Sequence, residues 1–250
     1  KYAPGTIAFY RRSLETVFPE IGAIKLNRLR PIALENLMAK LRKRTYRGKP
    51  IKEKTVQKYL TVVSAVLSDA KRNEIIEKNP ARMIDLPDAE RKVQEIPTME
   101  EMQKFLSALC YEDPVFQLFY FLAINTGMRR GEILALKWSD LNFATGELRI
   151  ERQVYIIKAE VIISAPKTKA SIRTVILPPS LLKTLVAYKE TVDSEWMFPS
   201  PTDNGRPRNP SSVRKRLQLI LERAGCKKVR FHDLRHTFAT MALEHGMDVK

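Results

Sequence analysis

Residues 115–138, VFQLFYFLAINTGMRRGEILALKW, decide how this chain is read. The first ten are apolar on every side except at Gln117, the pattern of a helix buried all round. That run is far too short to span a bilayer. Thr126-Gly127 breaks it, and a second short helix is predicted over 130–138. Arg129 stands between the two, held by rigid elements. There a guanidinium can be aimed at a phosphate in bidentate fashion. The plainer alternative is a helix-start arginine that pairs with Glu132 one turn on.

On the C-terminal side the periodicity changes at Gly146. Runs rich in Val and Ile over 148–157, 161–165 and 171–177 are predicted as strands, with turns at 144–146 and 167–170. Residues 165–174, APKTKASIRT, read as an exposed hairpin tip carrying Lys167, Lys169 and Arg173. Solvated lysines are the ordinary reading of such a tip, yet a lysine on a mobile loop can also enter a cleft and give up a proton. Helices are predicted over 180–190 and 211–224. The second has a stripe of Val213, Leu217, Ile220 and Leu221 and is stopped by Gly225.

A last helix is predicted from about Asp233 to His245. Within residues 230–240, RFHDLRHTFAT, His232 and Arg235 share a face if the helix begins before His232. They flank its first turn if it begins after. His232 and His236 have the spacing of a helical metal pair, but His245 is the only other histidine and no acidic cluster accompanies them. Phe231, Leu234 and Phe238 leave open that one or both histidines are core residues.

On the N-terminal side, Thr98-Met99-Glu100-Glu101 is a capping box, and Met102, Phe105, Leu106 and Leu109 continue its apolar face. Residues 85–97 before it are rich in proline and charge and lack a sustained period, so an interdomain linker is predicted there. The preceding part reads as helices over 6–17, 31–41 and 54–71. In the third, Val56, Tyr59, Leu60, Val63, Val66 and Leu67 fall on one face. A chain of 250 residues, 44% of them hydrophobic, can bury two ordinary cores.

Charge narrows the function classes. The 44 Lys and Arg outnumber the 28 Asp and Glu, giving +16. That excess points to a polyanionic partner, nucleic acid before an anionic membrane. Residues 1–90 hold 19 basic and 10 acidic side chains, net +9, which leaves +7 for the remainder. The densest run, 40–58, has nine Lys or Arg against Glu53 alone. It reads either as a solvated loop or, between two amphipathic helices, as an arm or helix end lying on phosphate. The first residues have no secretory signal, and two cysteines, Cys110 and Cys226, make no disulfide framework.

Taken together and in order, Thr126-Gly127-Met128-Arg129-Arg130-Gly131-Glu132, Lys167 and His232-Asp233-Leu234-Arg235-His236-Thr237 resemble the motifs of one family, the tyrosine recombinases or phage-type integrases. In character the chain is similar to integrases of conjugative transposons and Gram-positive phages. The resemblance extends to the Pro19-Glu20-Ile21-Gly22 turn and the Asn79-Pro80-Ala81 exit. It implies a mainly α fold with a small antiparallel β-sheet. A helical core-binding domain would span 1–84, a linker 85–97 and an α+β catalytic domain 98–250.

The implied chemistry is attack of a tyrosine hydroxyl on a DNA phosphodiester, forming a 3′-phosphotyrosyl link that a second strand later reverses. By the same resemblance Arg129 and Arg235 clamp the non-bridging oxygens. Lys167 protonates the leaving 5′-oxygen, His232 assists proton movement at the nucleophile, and Glu132 and His236 support. Thr6, Arg44, Arg47, Lys49, Lys52, Lys54, Lys58 and Lys169 are the expected DNA contacts.

No metal or other cofactor is expected, because two guanidiniums and an ammonium already neutralise the phosphate. The implied partners are double-stranded DNA, other protomers in a synaptic tetramer, and accessory DNA-bending or directionality proteins, in a bacterial cytoplasm and without a membrane. The family's Leu-Gly-His segment and nucleophilic tyrosine are expected beyond Lys250, so this stretch alone is expected to bind DNA and not cut it. Tyr155 and Tyr188 lie upstream of the histidine–arginine segment and are not expected to substitute. The rival readings are a non-catalytic DNA-binding protein on the same fold, a type IB topoisomerase-like enzyme and, last, a metal-dependent nuclease.

Overall fold

The computed structural model describes residues 2–87, 97–166 and 171–234. The chain divides into two compact units, residues 1–92 and 93–250.

The first unit is built on three helices: α1 (Pro4–Ile21), α2 (Pro31–Lys43) and α3 (Glu53–Arg72). Val56, Leu60, Val63 and Leu67 recur on one face of α3 and meet Leu34, Leu37, Met38 and Leu41 of α2 and Val17 of α1 in one core. Glu53 in the first turn of α3 and Lys71 and Arg72 in its last complement the helix dipole. The basic run 40–58 has helix ends at both its ends and a hairpin in its middle. It forms the end of α2, a two-stranded hairpin of β1 (Thr45–Tyr46) and β2 (Lys49–Pro50), and the start of α3. Arg47 and Gly48 turn that hairpin at φ 52° and 74°, the mirror-image turn that suits the twist of a two-residue hairpin.

At the exit of the unit, the buried Asn79 donates to the Ser64 carbonyl and to Ser68 Oγ, and accepts from the Ala81 N–H. The expected turn at 19–22 is corrected: α1 runs through Pro19 to Ile21. Pro19 there removes a single N–H in the last turn. The carbonyl it leaves unbonded belongs to Glu15, an exposed residue, where water can replace the bond.

The second unit surrounds α5 (Pro114–Thr126), whose Leu118, Phe119, Tyr120, Leu122 and Ala123 are all buried. Before it lies α4 (Met99–Leu109), opened by the Thr98–Glu101 capping box with both reciprocal bonds present. After it come α6 (Arg130–Leu134), β3 (Glu147–Ile150), β4 (Gln153–Ile157), β5 (Glu160–Ser164), β6 (Arg173–Ile176) and α7 (Pro179–Lys189). A short ribbon of β7 (Pro199–Ser200) and β8 (Asp203–Pro207), then α8 (Pro210–Arg223), complete the order. A helical turn begins at Phe231, ahead of His232. Glu112 is almost wholly buried and takes ion pairs from Arg216 and Arg223 of α8, tying the start of α5 to that helix.

The strands depart from the sequence expectation in three ways. The predicted 148–157 strand is two, broken at Arg152, whose guanidinium turns aside to Asp140 and Glu151. The pieces then pair with different partners, β3 with β6 and β4 with β5, both antiparallel. Among the described residues the second unit therefore holds three two-stranded antiparallel ribbons, small sheets in a mainly helical fold. Among the described residues β5 and β6 do not pair with each other, and residues 167–170 of the expected hairpin tip lie outside the described residues. A hairpin tip is at Lys158-Ala159, between β4 and β5. The β7–β8 ribbon was not expected, since PSPTDNGRP has the composition of a loop. No helix among the described residues is long and apolar enough to cross a membrane.

Candidate active site

The corner between α5 and α6 is set by the local sequence. Gly127 takes the left-handed conformation at φ 58° and its N–H closes α5 on the Ala123 carbonyl, the usual role of glycine past a helix end. Met128 is fully buried and pins the corner. Arg129 then begins α6 with its side chain 53% exposed. Glu132, one turn on and only 4% exposed, reaches back to it. One carboxylate oxygen accepts from Arg129 Nη1 at 2.7 Å and the other from the Arg129 N–H at 2.8 Å. Arg173, at the start of β6, donates through Nη2 to that second oxygen at 2.9 Å.

Burial pushes the Glu132 carboxyl up. The hydrogen bonds from Arg173, the Arg129 backbone and the Arg129 guanidinium outweigh it and hold the group below its ordinary value. The plain reading of Arg129, a partner for Glu132, is therefore correct as far as it goes. It occupies Nη1 alone: among the described residues Nε and Nη2 have no protein acceptor, so their donors are available to an anion.

Gly131 permits this placement by letting α6 press against β4. A Cβ built there would lie 2.3 Å from the Val154 carbonyl oxygen, which is backbone and cannot rotate away. Gly131→Ala is expected to cost about 1–3 kcal/mol, as overpacking does, read as a lowered midpoint in chemical denaturation. An unchanged midpoint would mean that α6 and β4 are not held in this contact.

His232 arrives from the far end of the chain. Phe231 packs its ring 5.5 Å from that of Phe119 and 6.5 Å from that of Tyr120. Asp233 accepts from the Arg230 N–H at 2.6 Å and pairs with its guanidinium at 3.0 Å, capping the turn. Phe231, Asp233 and Leu234 are buried while His232 is exposed. It lines a cleft of about 1050 Å³ with Arg129 and Glu132, beside Arg130, Arg214, Lys215, Lys228 and Arg230. Six Lys or Arg thus face the single carboxylate of Glu132 there. No tyrosine lines this cleft among the described residues. Tyr188 is buried on α7, and burial pushes its phenol up to about 12.

Of the expected site residues, the structure brings Arg129, Glu132 and His232 together. Lys167, Lys169, Arg235 and His236 lie outside the described residues. In the first unit Arg47, Lys49, Lys52, Lys54 and Lys58 are exposed and Thr6 is half-buried. Arg44 is held by Glu20 at 2.7 Å, a carboxylate it shares with Lys40. Sequence reasoning missed the grip of Arg173 on Glu132 and the cleft positions of Arg130, Arg214, Lys215, Lys228 and Arg230. The basic letters SSVRKR at the head of the α8 stripe were the available signal for the α8 pair.

The family model described as Phage integrase family matches residues 97–250. A tyrosine recombinase XerC-like protein of Caldanaerobacter subterraneus subsp. tengcongensis is 32% identical over 261 residues, covering 92% of this chain and 64% of the relative. The ICEBs1 integrase of Bacillus subtilis is 27% identical over 207 residues, covering 79% of this chain and 56% of its own. The chain thus spans less than two thirds of the length of these curated relatives. Among solved structures, Tn1549 transposon integrase in complex with circular intermediate DNA matches with a TM-score of 0.81 at 16% identity, over 100% of this chain and 84% of that one. A lambda integrase dimer bound to a COC′ core site matches with a TM-score of 0.71 at 19% identity, over 98% and 82%. At such identities these likenesses establish the fold.

Proposed function

Because the chain belongs to the phage integrase family, we propose that it is the DNA-binding and catalytic body of a mobile-element site-specific recombinase that works through a 3′-phosphotyrosyl link. The observation that supports this most is the cleft in which Arg129, braced by a buried carboxylate, and His232 face one space whose lining holds six Lys or Arg against a single carboxylate. Residues 1–84 serve as the core-binding domain and 98–250 as the catalytic domain. The partners are double-stranded DNA, further protomers in a synaptic tetramer, and accessory DNA-bending or directionality proteins. The place of action is the bacterial cytoplasm, at the nucleoid.

In the reaction a tyrosine oxygen bonds to phosphorus as the bond from phosphorus to the 5′-oxygen breaks. The tyrosine proton passes toward His232, and Lys167 delivers a proton to the departing 5′-oxygen. Arg129 and Arg235 hold the non-bridging oxygens, where each fixed donor is worth roughly 3–4 kcal/mol by analogy with an oxyanion hole. Glu132 orients Arg129, Arg173 keeps Glu132 in place, and His236 supports. A 5′-hydroxyl of a second strand then attacks the phosphotyrosine and releases the tyrosine, so no external energy source is consumed.

The test is incubation of the full-length protein with a nicked duplex bearing its recombination site. A covalent adduct mapping to a tyrosine is expected. Tight binding without an adduct would instead favour a DNA-binding protein on the same fold. Relaxation of supercoiled plasmid without paired sites would favour a topoisomerase.

Electrostatics adds a second expectation. With a net charge of +16, binding of the present chain to duplex DNA should fall steeply with salt, with a log–log slope of about −0.9 for each phosphate neutralised. A slope near zero in a salt titration would remove the phosphate contacts from this account.

A further inference from the structure

The cleft carries more positive charge than the two positions assigned there employ. Arg129 is paired with Glu132 and Arg230 with Asp233. Arg130 and Arg214 line the same cleft, and among the described residues neither has an ion pair or a side-chain hydrogen bond. Arg214 is exposed on α8, while Arg130, in the first turn of α6, is half-buried. Burial and the neighbouring charge of Arg214 both pull the Arg130 guanidinium below its ordinary pKa. A cation partly withdrawn from water beside another cation lowers the stability of the free protein. Such local conflicts are expected where a bound group supplies what the fold leaves out. The missing element here is a negative charge.

We propose that Arg130 and Arg214 form a second phosphate site, separate from the Arg129 clamp, that holds a phosphodiester flanking the one to be cut. The inference rests on the DNA-breaking reading above. Each DNA strand presents a phosphate about every 3.4 Å of helix axis, so a cleft that receives one phosphodiester must also receive its neighbours. The close contact of Gly131 with Val154 fixes α6, and with it the base of Arg130, against β4. The base of Arg130 is therefore held in place before DNA arrives, and the site contributes positioning without touching the reacting atoms. Its ligand is an oxyanion of the DNA backbone, and it reads no sequence.

The experiment compares the chain with Arg130→Gln, Arg214→Gln and the double variant. Thermal unfolding of the free proteins is measured first, then salt titrations of binding to a duplex of mixed sequence. Arg130→Gln is expected to raise the melting temperature, because it removes an uncompensated charge. Each single variant and the double variant are all expected to lose the same increment of salt slope, about 0.9, since both arginines serve one phosphate. A lower melting temperature for Arg130→Gln would make it a structural residue and overturn the proposal.

So would an unchanged slope in both singles, or losses in the two that add to about 1.8 in the double, which would mean two independent contacts. If Arg130→Gln fails to fold, Arg130→Met takes its place in the same single and double comparison, and retention of slope by the exposed Arg214→Gln overturns the proposal by itself. Absence of DNA binding by the unsubstituted chain would remove the recombinase reading along with this one. Normal binding with unaltered slopes removes this one alone.

Discussion

Arg129→Lys in the full-length protein is expected to reduce strand cleavage by about 10²–10³-fold, the usual effect of deleting one fixed donor at a developing oxyanion, while leaving DNA affinity nearly unchanged. The reason is geometric. Arg129 Nη1 is committed to Glu132 at 2.7 Å, and its remaining nitrogens are what can meet a phosphate. A lysine keeps the charge but offers a single ammonium, which cannot pair with Glu132 and present a fixed pair of donors to an oxyanion at the same time. The measurement is single-turnover formation of the covalent adduct on a nicked duplex, beside a binding isotherm on the intact one. Cleavage at the unsubstituted rate would take Arg129 out of the clamp.

Glu132→Gln is expected to destabilise the second unit by about 2–3 kcal/mol at neutral pH and to impair cleavage as well. Removing one partner of a fully buried pair costs about 3–5 kcal/mol. The smaller figure applies here because Arg129 keeps 53% of its side chain exposed and can rehydrate. The pH dependence identifies the cause. The folded protein holds the Glu132 carboxyl below its ordinary value, so the unfolded chain takes up its proton first as pH falls. The stabilisation is complete above the ordinary glutamate range and is lost as pH drops through the lowered value. The gap between wild type and Glu132→Gln, measured by urea unfolding, should therefore narrow from about pH 7 to about pH 3. An equal gap at both would show that the ionised carboxylate is not the stabilising group.

Much of this was legible without coordinates. The α3 stripe of Val56, Leu60, Val63 and Leu67, the Thr98–Glu101 box, the buried run of α5 and the Gly127 and Gly225 stops are local signals. Each depends on neighbours within a turn or two, where spacing fixes which side chains share a face. The strands were less legible, because Val and Ile mark a run as extended without naming its partner. Nothing in residues 148–157 announces that Arg152 will turn to Asp140 and end one ribbon before the next begins. The same limit applied to PSPTDNGRP, whose pairing as β7 and β8 is held by tertiary contacts such as Trp196 Nε1 on the Gly205 carbonyl at 3.1 Å.

The sequence alone settled most of the helices and their approximate bounds, the basic character and the ordered motifs by which the family is known. Folding in three dimensions decided who meets whom. Glu132 is gripped by Arg173, 41 positions away, and His232 is brought by the Phe231–Phe119 contact to the cleft that Arg129 faces. Arg130 and Arg214 come to line the same cleft, and among the described residues neither has an ion pair. A periodic pattern reports only on the few residues a helix or strand brings together by its own geometry. Convergence of distant side chains depends on how whole elements pack, and that is set by the shared core.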